Sequence, residues 1–258
     1  MKKKYSFEAV IFDLDGVITR TALVHSSAWT RMFNDYLEYR NQTYKEQHKI
    51  FTHEDDYLPF VDGKPRYKGV ADFLASRSIN IPYGSPSDES EMETVCGLGN
   101  RKNQYFNLIL ETEGVEVYES TIELIHELIS HKIKIGMASS SANCKKVLEK
   151  VGILDLFQTR VDGEVSALLK LKGKPEPDIF TTAADNLNVG YKKSIVVEDA
   201  VSGVQAGRKG GFGLVLGIAR EGNADELLKN GAHIVVEDIS ELGGLDGLER
   251  EFVKIASN

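Results

Sequence analysis

Residues 9–16, Ala-Val-Ile-Phe-Asp-Leu-Asp-Gly, decide the fold class of this chain of 258 residues. Four apolar residues lead into two acidic residues and a glycine, a pattern that predicts a buried strand of a parallel sheet followed by a loop. Because side chains at positions i and i+2 of an extended chain point the same way, Asp13 and Asp15 converge. Converging carboxylates repel unless a cation or a shared proton is present. A hydrated turn around the glycine is the alternative, and this stretch alone does not decide between them.

Further apolar runs predict more strands of the same sheet. They lie within residues 133–138, 194–197, 214–218 and 234–236. Helical periodicity occupies the chain between them, within residues 120–131, 142–151, 177–187 and 200–209. Strands that alternate with amphipathic helices predict an α/β fold, here a doubly wound, mostly parallel, Rossmann-like sheet.

A long segment after the first strand has a different pattern. It lacks a β-branched run, shows helical periodicity over residues 22–40 and 101–111, and includes a polar piece with proline and glycine at residues 59–93. We therefore predict an inserted α-helical cap domain at residues 20–115. Residues 1–19 and 116–258 then form the core domain.

Composition excludes several classes of function. The net charge is −8 and no block of Lys and Arg occurs, which disfavours binding to nucleic acid or to an anionic membrane surface. No apolar run is long enough to span a bilayer. Cys96 and Cys144 are isolated and lack the spacing of zinc ligands, so a reducing compartment is favoured, with a single disulfide left open. No signal-peptide pattern follows the basic start, so we expect a cytoplasmic protein.

A second strand also ends in acidic residues. Glu198 and Asp199 follow the apolar run that starts near residue 194. Because ligands of open α/β sheets bind at the carboxyl ends of the strands, these carboxylates and those of Asp13 and Asp15 favour one shared site. Mg²⁺ prefers such oxygen ligands. The alternative is that Asp199 only caps the helix that follows it.

Two further pieces suit a phosphoryl group. The run after residue 138 carries hydroxyl and amide side chains that can hold a phosphate oxygen at a helix start, although a plain helix cap explains it equally; the residues are Ser139, Ser140, Ser141 and Asn143. Lys174 stands before two prolines and could neutralise a phosphate beside a carboxylate. Its alternative is an exposed lysine ahead of a helix that starts with proline.

These four pieces, in this order, resemble the haloacid dehalogenase (HAD) superfamily over about residues 6–236. The first motif is matched by residues 13–17, the second by Ser139, the third by Lys174 and the fourth by residues 198–199. Within the superfamily the chain is similar to the β-phosphoglucomutase group, which has a helical cap between the first two motifs. The histidine of that cap is matched by His25, and its lysine region is matched by residues 101–103.

The resemblance implies roles for these residues. Asp13 would be the nucleophile that forms an aspartyl-phosphate, and Asp15 would be the general acid and base. Mg²⁺ would be held by the Asp13 carboxylate, the Asp15 carbonyl and Asp199, with Glu198 in support. Lys174 would offset phosphate charge, and Ser139 would hold a phosphoryl oxygen. The implied substrate-binding residues are His25, Arg101, Lys102, Ser140, Ser141 and Asn143.

Departures from the group's pattern bear on the acceptor of the phosphoryl group. Arg20 stands where many members have Asp, Ala142 where the mutase has a lysine, and Asp72 where it has a phosphate-binding arginine; the cap is also longer. Two contacts with a second phosphate are thus missing, unless Arg66, Arg77 or Lys64 replaces them. We therefore expect a phosphatase of a small sugar phosphate, with a β-phosphoglucomutase that interconverts glucose 1-phosphate and glucose 6-phosphate as the alternative.

Two other classes of function fit the sequence less well. A phospho-accepting receiver domain also combines Asp, Ser and Lys on a doubly wound sheet, but it is shorter and has no cap. A sugar-phosphate-binding module without activity would not need all four motifs. We expect a small phosphorylated sugar as the partner, no nucleic acid or membrane partner, and a monomer or weak dimer.

Overall fold

The computed structural model describes residues 4–220 and 222–257. The strands are β1 (Ala9–Phe12), β2 (Lys134–Ala138), β3 (Thr159–Val161), β4 (Ser194–Glu198), β5 (Leu214–Ile218) and β6 (Ile234–Val236). The α-helices are α1 (Thr21–Tyr44), α2 (Leu58–Phe60), α3 (Arg66–Ser76), α4 (Val95–Glu113), α5 (Glu119–Ser130), α6 (Cys144–Lys150), α7 (Gly163–Leu169), α8 (Asp178–Asn186), α9 (Val201–Lys209), α10 (Ala224–Asn230) and α11 (Gly244–Ala256).

The six strands form one parallel sheet in the order β3-β2-β1-β4-β5-β6. β1 lies in its interior, and its four residues are fully buried because helices cover both faces of such a sheet. The chain order reverses beside β1, and this is the place where doubly wound sheets bind ligands. The α/β class with a Rossmann-like sheet is confirmed.

The chain divides into two compact units, residues 1–20 with 115–258 and residues 21–114. The larger unit holds the sheet and a core built from strand and helix side chains such as Ile11, Phe180 and Val196. The smaller unit is helical, and its core is rich in aromatic rings: Phe33 stacks on Phe51 with ring centroids 4.9 Å apart. No helix of the described residues is both long and apolar enough to cross a membrane.

Several elements had no predicted counterpart, among them β3, α3 and α11. β3 has only three residues, Thr-Arg-Val, two of which are polar and partly buried, so it lacks the apolar run that marked the other strands. α3 lies inside the polar piece at residues 59–93, where Pro65 precedes the helix. α11 buries only one face of its 13 residues, at Leu245, Leu248 and Phe252. Cys96 and Cys144 are both buried free thiols.

Candidate active site

The acidic residues of the first and fourth motifs lie at the same edge of the sheet. Phe12 of β1 pairs with Val197 of β4, and the Asp13 amide donates a hydrogen bond to the Val197 carbonyl at 3.0 Å. Asp13 and Glu198 therefore end two neighbouring parallel strands. The structure brings them together because the two strands are in register, as expected for carboxyl ends of a parallel sheet.

Lys174 joins these two carboxylates. Its ammonium Nζ donates to Oδ1 of Asp13 at 2.7 Å and also to Oε1 of Glu198. The residue exposures are 1% for Lys174, 4% for Asp13 and 0% for Glu198. Buried charges are tolerated in proteins when they are paired and hydrogen-bonded, and this triad meets both conditions. Lys174 is thus a buried ion-pair partner and not an exposed lysine ahead of a helix.

Burial and neighbouring charges shift the pKa values of this triad. Burial raises the pKa of Asp13 well above its usual value, Glu198 and Asp15 raise it further, and Lys174 opposes them. Burial lowers the pKa of Lys174, but Asp13 and Glu198 outweigh it, so the net pKa of the ammonium lies above its usual value. Lys174 therefore stays protonated, and its positive charge is fixed beside Asp13.

Glu198 is held in place by the start of α9. Its Oε2 accepts a hydrogen bond from the Ala200 amide at 2.8 Å, while Oε1 accepts from Lys174. A Cβ added at Gly203 would overlap the Glu198 carboxyl group. Gly203 is a residue that the sequence analysis did not single out. Its signal is the glycine in the first turn of a helix that directly follows an acidic strand end.

Asp199 lies against the loop of the first motif. Gly16 has a positive φ of 76°, and its amide donates to the Thr19 carbonyl at 2.8 Å. A Cβ added at Gly16 would collide with Oδ2 of Asp199. A glycine is therefore required at position 16 for the backbone and for the close approach of Asp199. Asp15, which precedes Gly16, is partly buried and acts on the Asp13 carboxyl through its charge.

The loop after β2 is ordered by its own hydroxyl groups. Ser139 is 1% exposed, and its Oγ accepts from the Ser141 amide at 3.1 Å. Ser141 Oγ accepts in turn from the Asn143 amide at 3.2 Å, while Ser140 is partly buried. Burial raises the pKa of Cys144, the first residue of α6, and so do the charges of Asp15 and Asp13, which follow β1.

The loop after β3 supports the Ser139 loop. The Gly163 amide donates to the Ser141 carbonyl at 3.2 Å, and a Cβ at Gly163 would press on the backbone of Ala142. Asp162, which is fully buried, accepts from the amides of Glu164 and Val165 and so caps α7. This support could not be predicted, because β3, the strand before this loop, has no apolar run that would reveal it.

The remaining predicted residues belong to the helical unit. Lys102 is 2% exposed, and its Nζ lies 2.6 Å from Nδ1 of His25. The ammonium also lies over the rings of Trp29 and Phe106, 5.0 and 4.9 Å from their centroids, where the ring faces attract a cation. Arg101 is bound to the Ser90 carbonyl through Nε at 2.8 Å. Buried Lys102 and partly buried His25 thus form one polar pair among aromatic rings.

The core site combines four acidic side chains with one ammonium group: Asp13, Asp15, Glu198 and Asp199 with Lys174. Among residues 4–220 and 222–257, no group of three or more His, Cys, Asp and Glu side chains is placed to hold a metal ion. A buried carboxylate whose negative charge is balanced by a fixed ammonium can attack an electrophile such as phosphorus. The excess negative charge beside it suits a bound cation.

Known proteins resemble this chain over most of its length. A family model for haloacid dehalogenase-like hydrolases matches residues 7–211. A Mycobacterium bovis protein called beta-phosphoglucomutase is 43% identical over 237 residues, 91% of this chain and 90% of that protein. A Thermotoga maritima protein called phosphorylated carbohydrates phosphatase is 27% identical over 234 residues, 89% of this chain and 94% of that protein.

A solved structure shows the same fold. The crystal structure of a beta-phosphoglucomutase from Clostridium difficile aligns with a TM-score of 0.75 at 27% identity, over 98% of this chain and all of that chain. Together with the family model, which covers most of the chain, these relatives show the family. The chain belongs to the haloacid dehalogenase-like hydrolases.

Proposed function

We propose that this enzyme transfers the phosphoryl group of a small sugar phosphate to water, with Mg²⁺ bound and with Asp13 as the nucleophile. The observation that carries the proposal is the buried contact from Lys174 to Asp13 and Glu198. This contact favours the ionised form of Asp13 against the effect of burial, and it fixes a positive charge where a phosphate would approach. The sugar-phosphate class is supported by the names of the relatives.

In the first half of the reaction, the Asp13 carboxylate attacks phosphorus in line and the sugar oxygen leaves. Asp15 donates the proton that the leaving oxygen needs, and it later takes a proton from the attacking water. Lys174 offsets the charge of the phosphoryl oxygens, and Ser139 donates a hydrogen bond to one of them. Bound Mg²⁺ would neutralise charge on the transferring phosphoryl group.

The donor set fits Mg²⁺. We assign the Asp13 carboxylate, the Asp15 carbonyl and the Asp199 carboxylate as its ligands, with Glu198 supporting them through Lys174. Only two of these ligands are carboxylate side chains, so the set does not require a cluster of three acidic residues. Mg²⁺ in phosphoryl-transfer sites is commonly held by one or two carboxylates together with water and the phosphate of the substrate.

Two features favour water as the acceptor over a second sugar phosphate. Asp72 stands at the position of the mutase arginine. Its Oδ2 forms ion pairs with Nζ of Lys64 at 2.8 Å and with Nζ of Lys68 at 3.1 Å. Ala142 stands where the mutase has a lysine and brings no charge. Two contacts with a second phosphate are therefore replaced by groups that cannot bind one.

Transfer to a second sugar phosphate, as in a β-phosphoglucomutase, is the second candidate. It is favoured by the 43% identity with the Mycobacterium bovis protein of that name. It also gives a role to the hydrogen-bonded pair of His25 and Lys102. In both candidates we assign contacts with the sugar phosphate to the residues His25, Arg101, Lys102, Ser140, Ser141 and Asn143.

The setting of the enzyme follows from the same proposal. We place it in the cytoplasm, where small sugar phosphates occur. The reducing conditions there also keep free thiols such as those of Cys96 and Cys144 reduced. Its acidic charge of −8 suits neither nucleic acid nor an anionic membrane as a partner. We expect a monomer or a weak dimer, which sedimentation measurements would establish.

The test of the nucleophile is hydrolysis of p-nitrophenyl phosphate with and without Mg²⁺. Asp13→Asn should lower the rate by more than about 10³-fold, because the attacking oxygen is lost. Asp155→Asn, a change at an exposed position of the same unit, is the matched control and should leave the rate unaltered. Hydrolysis that persists in Asp13→Asn, or that needs no metal, would disprove the proposal.

The acceptor is tested separately. β-Glucose 1-phosphate is supplied with a trace of glucose 1,6-bisphosphate, and both free phosphate and glucose 6-phosphate are measured. A phosphatase releases phosphate in step with substrate loss. Full conversion to glucose 6-phosphate without free phosphate would replace our first candidate by the second.

A further inference from the structure

Arg220 follows β5 and reaches into the loop of the first motif. Its Nε donates to the Gly16 carbonyl at 3.3 Å. Its Nη1 donates to the Glu237 carbonyl at 2.9 Å and to Oδ2 of Asp238 at 2.7 Å. The side chain of Arg220 is 16% exposed. One guanidinium group therefore connects the loops that follow three strands, β1, β5 and β6.

The same guanidinium is stacked on Tyr118. The Arg220 Cζ lies 3.7 Å from the centroid of the Tyr118 ring, and the Cζ of Arg20 lies 4.8 Å from it. Burial raises the pKa of Tyr118, while the two arginine charges lower it and those of Asp199 and Asp238 raise it. Arg220 is thus held over this ring in the neighbourhood of Asp199.

These contacts close a ring around the first-motif loop. The Tyr118 amide donates to the Ile18 carbonyl at 2.8 Å, and the Gly16 amide donates to the Thr19 carbonyl at 2.8 Å. Starting from Gly16, the connections run through residues 18–19 to Tyr118, then to Arg220 and back to the Gly16 carbonyl. Asp15 directly precedes Gly16 in the chain, so it is joined by one peptide bond to the residue that Arg220 holds.

The turn that carries Arg220 also contacts the fourth motif. Asn223 donates from Nδ2 to the Asp199 carbonyl at 3.4 Å. Arg220 and Asn223 therefore touch the loop after β1 and the loop after β4, the two loops that supply the acidic residues of the site. Lysine could not replace Arg220, because a planar guanidinium stacks on a ring while it donates in several fixed directions.

We propose that Arg220, stacked on Tyr118, is a positioning residue that fixes the Gly16 carbonyl and so sets the geometry of Asp13 and Asp15. The proposal rests on the proposed function for its kinetic consequence. A purely structural alternative exists, since Asp238 also accepts from Ser120 at 3.0 Å and could use Arg220 only to join α5 to the end of β6. The experiment must separate these two roles.

Arg220→Ala is the test variant, and Arg20→Ala is its matched control. Arg20 faces the same ring, but it is 54% exposed and pairs with Glu116 at 3.4 Å. Hydrogen exchange is measured on peptides from residues 13–19 and from β4. We expect exchange in residues 13–19 to become about 10-fold faster in Arg220→Ala only, with β4 unchanged, because a local opening exposes only that loop.

Steady-state hydrolysis of p-nitrophenyl phosphate gives the second readout. Arg220→Ala should lower kcat by about 10- to 100-fold with KM within about two-fold, as expected when a charged hydrogen bond that orients the reacting groups is lost. Millimolar guanidinium ion should restore part of kcat in Arg220→Ala. Arg20→Ala should differ from wild type by less than about two-fold in both constants.

The outcomes are distinct. Unchanged exchange in residues 13–19 together with unchanged kcat overturns the proposal, and so does faster exchange throughout the sheet with no guanidinium rescue, which is the structural role. If Arg220→Ala does not fold, Arg220→Lys keeps the charge and should still show the local exchange and the loss of kcat. If wild type lacks turnover that depends on Asp13, the proposed function fails, whereas the exchange comparison still tests Arg220.

Discussion

Lys174 donates a hydrogen bond to Asp13 at 2.7 Å although the two residues are 161 positions apart in the chain. The contact exists only when the loop before α8 and the end of β1 are both in their folded positions. Because Asp13 and Glu198 share this ammonium, removing it would leave two carboxylates buried side by side. The contact between Lys174 and Asp13 therefore contributes both to the stability of the core unit and to the proposed reaction.

Lys174→Met should consequently lower both stability and activity. We expect the free energy of unfolding to fall by about 3–5 kcal/mol, the cost of leaving buried charges without a partner. Hydrolysis of p-nitrophenyl phosphate should fall by more than about 10²-fold, because the charge that faces the phosphate is lost. Urea unfolding followed by circular dichroism measures the first quantity, and a continuous absorbance assay measures the second.

Lys209→Met is the control for this prediction. Lys209 pairs with Glu176 at 3.0 Å, but its side chain is 48% exposed. Exposed pairs contribute little, so its unfolding free energy should change by less than about 1 kcal/mol. Equal small effects in Lys174→Met and Lys209→Met would show that the buried triad does not form as described.

The sheet could be predicted from sequence where a strand is fully buried. The strands β1, β4 and β5 are buried on both faces, so each contains a run of three or four consecutive apolar residues. β3 does not, because two of its three residues, Thr159 and Arg160, are polar and only partly buried. The apolar pattern therefore finds strands with apolar side chains and misses a short strand without them.

The site shows the same division. Carboxylates at strand ends are visible in the sequence, since their position follows from the sheet. The partners that hold them are not visible, because Gly203 beside Glu198 and Arg220 beside Gly16 depend on contacts between distant segments. A glycine has no side chain whose chemistry indicates a role. A single arginine in a sequence is most often an exposed charged residue, so it does not indicate one either.

Gly16→Ala tests the approach of Asp199 to the first-motif loop. An alanine at position 16 would be strained at φ 76° and would collide with the Asp199 carboxylate. We expect the Mg²⁺ concentration for half-maximal activity to rise by about 10-fold or more, because a metal ligand is displaced. Titration of activity against Mg²⁺ measures this change.

Gly152→Ala separates the collision from the backbone strain. Gly152 has a φ of 72°, and a Cβ added there would meet nothing within 4 Å. It should lose about 1 kcal/mol of stability from strain, with the Mg²⁺ requirement of wild type. A Gly16→Ala enzyme that responds to Mg²⁺ as Gly152→Ala does would mean that Asp199 is not a ligand.

We expect the free energy of unfolding to fall in mild acid because of His233. Its Nδ1 accepts from the Val215 amide at 2.8 Å, so protonation at that nitrogen would break the bond. Burial, together with the charges of Arg208 and Lys192, lowers the pKa of His233 from 6.5 to about 4. As the pH falls below 6.5 the unfolded chain takes up this proton before the folded chain does. The stabilisation is therefore complete above that pH and is lost as the pH falls through about 4.

His233→Gln should remove this part of the pH dependence. Between pH 7 and pH 4 wild type should lose about 1–2 kcal/mol more unfolding free energy than the variant, a figure reduced for the partial exposure of the ring. His131→Gln, at an exposed position, should follow wild type. Parallel curves for wild type and His233→Gln would refute the assignment.

Substitutions of Arg66 and Arg77 should have opposite effects on stability and on KM. Both residues belong to the helical unit, and both were candidates for binding a second phosphate. Arg77 donates from Nη2 to both oxygens of Asp56, at 2.7 and 2.8 Å, and Asp56 is 3% exposed. Arg66 donates instead to the amide oxygen of Asn103 at 2.8 Å, and burial lowers its pKa, with Tyr67 opposing. Arg77 is thus committed to a buried carboxylate, whereas the charge of Arg66 faces a neutral group.

Arg77→Gln should therefore lower the unfolding free energy by about 2–4 kcal/mol and leave KM unchanged, since it strands a buried carboxylate. Arg66→Gln should keep stability within about 1 kcal/mol. For the second candidate function, in which a second phosphate is bound, Arg66→Gln should also raise KM for glucose 1,6-bisphosphate by about 10-fold, while KM for p-nitrophenyl phosphate stays constant. The two substrates separate binding of a second phosphate from binding of the reacting one. A rise of KM for the bisphosphate in Arg77→Gln at unchanged stability would reverse the two assignments, because Asp56 would then not need Arg77.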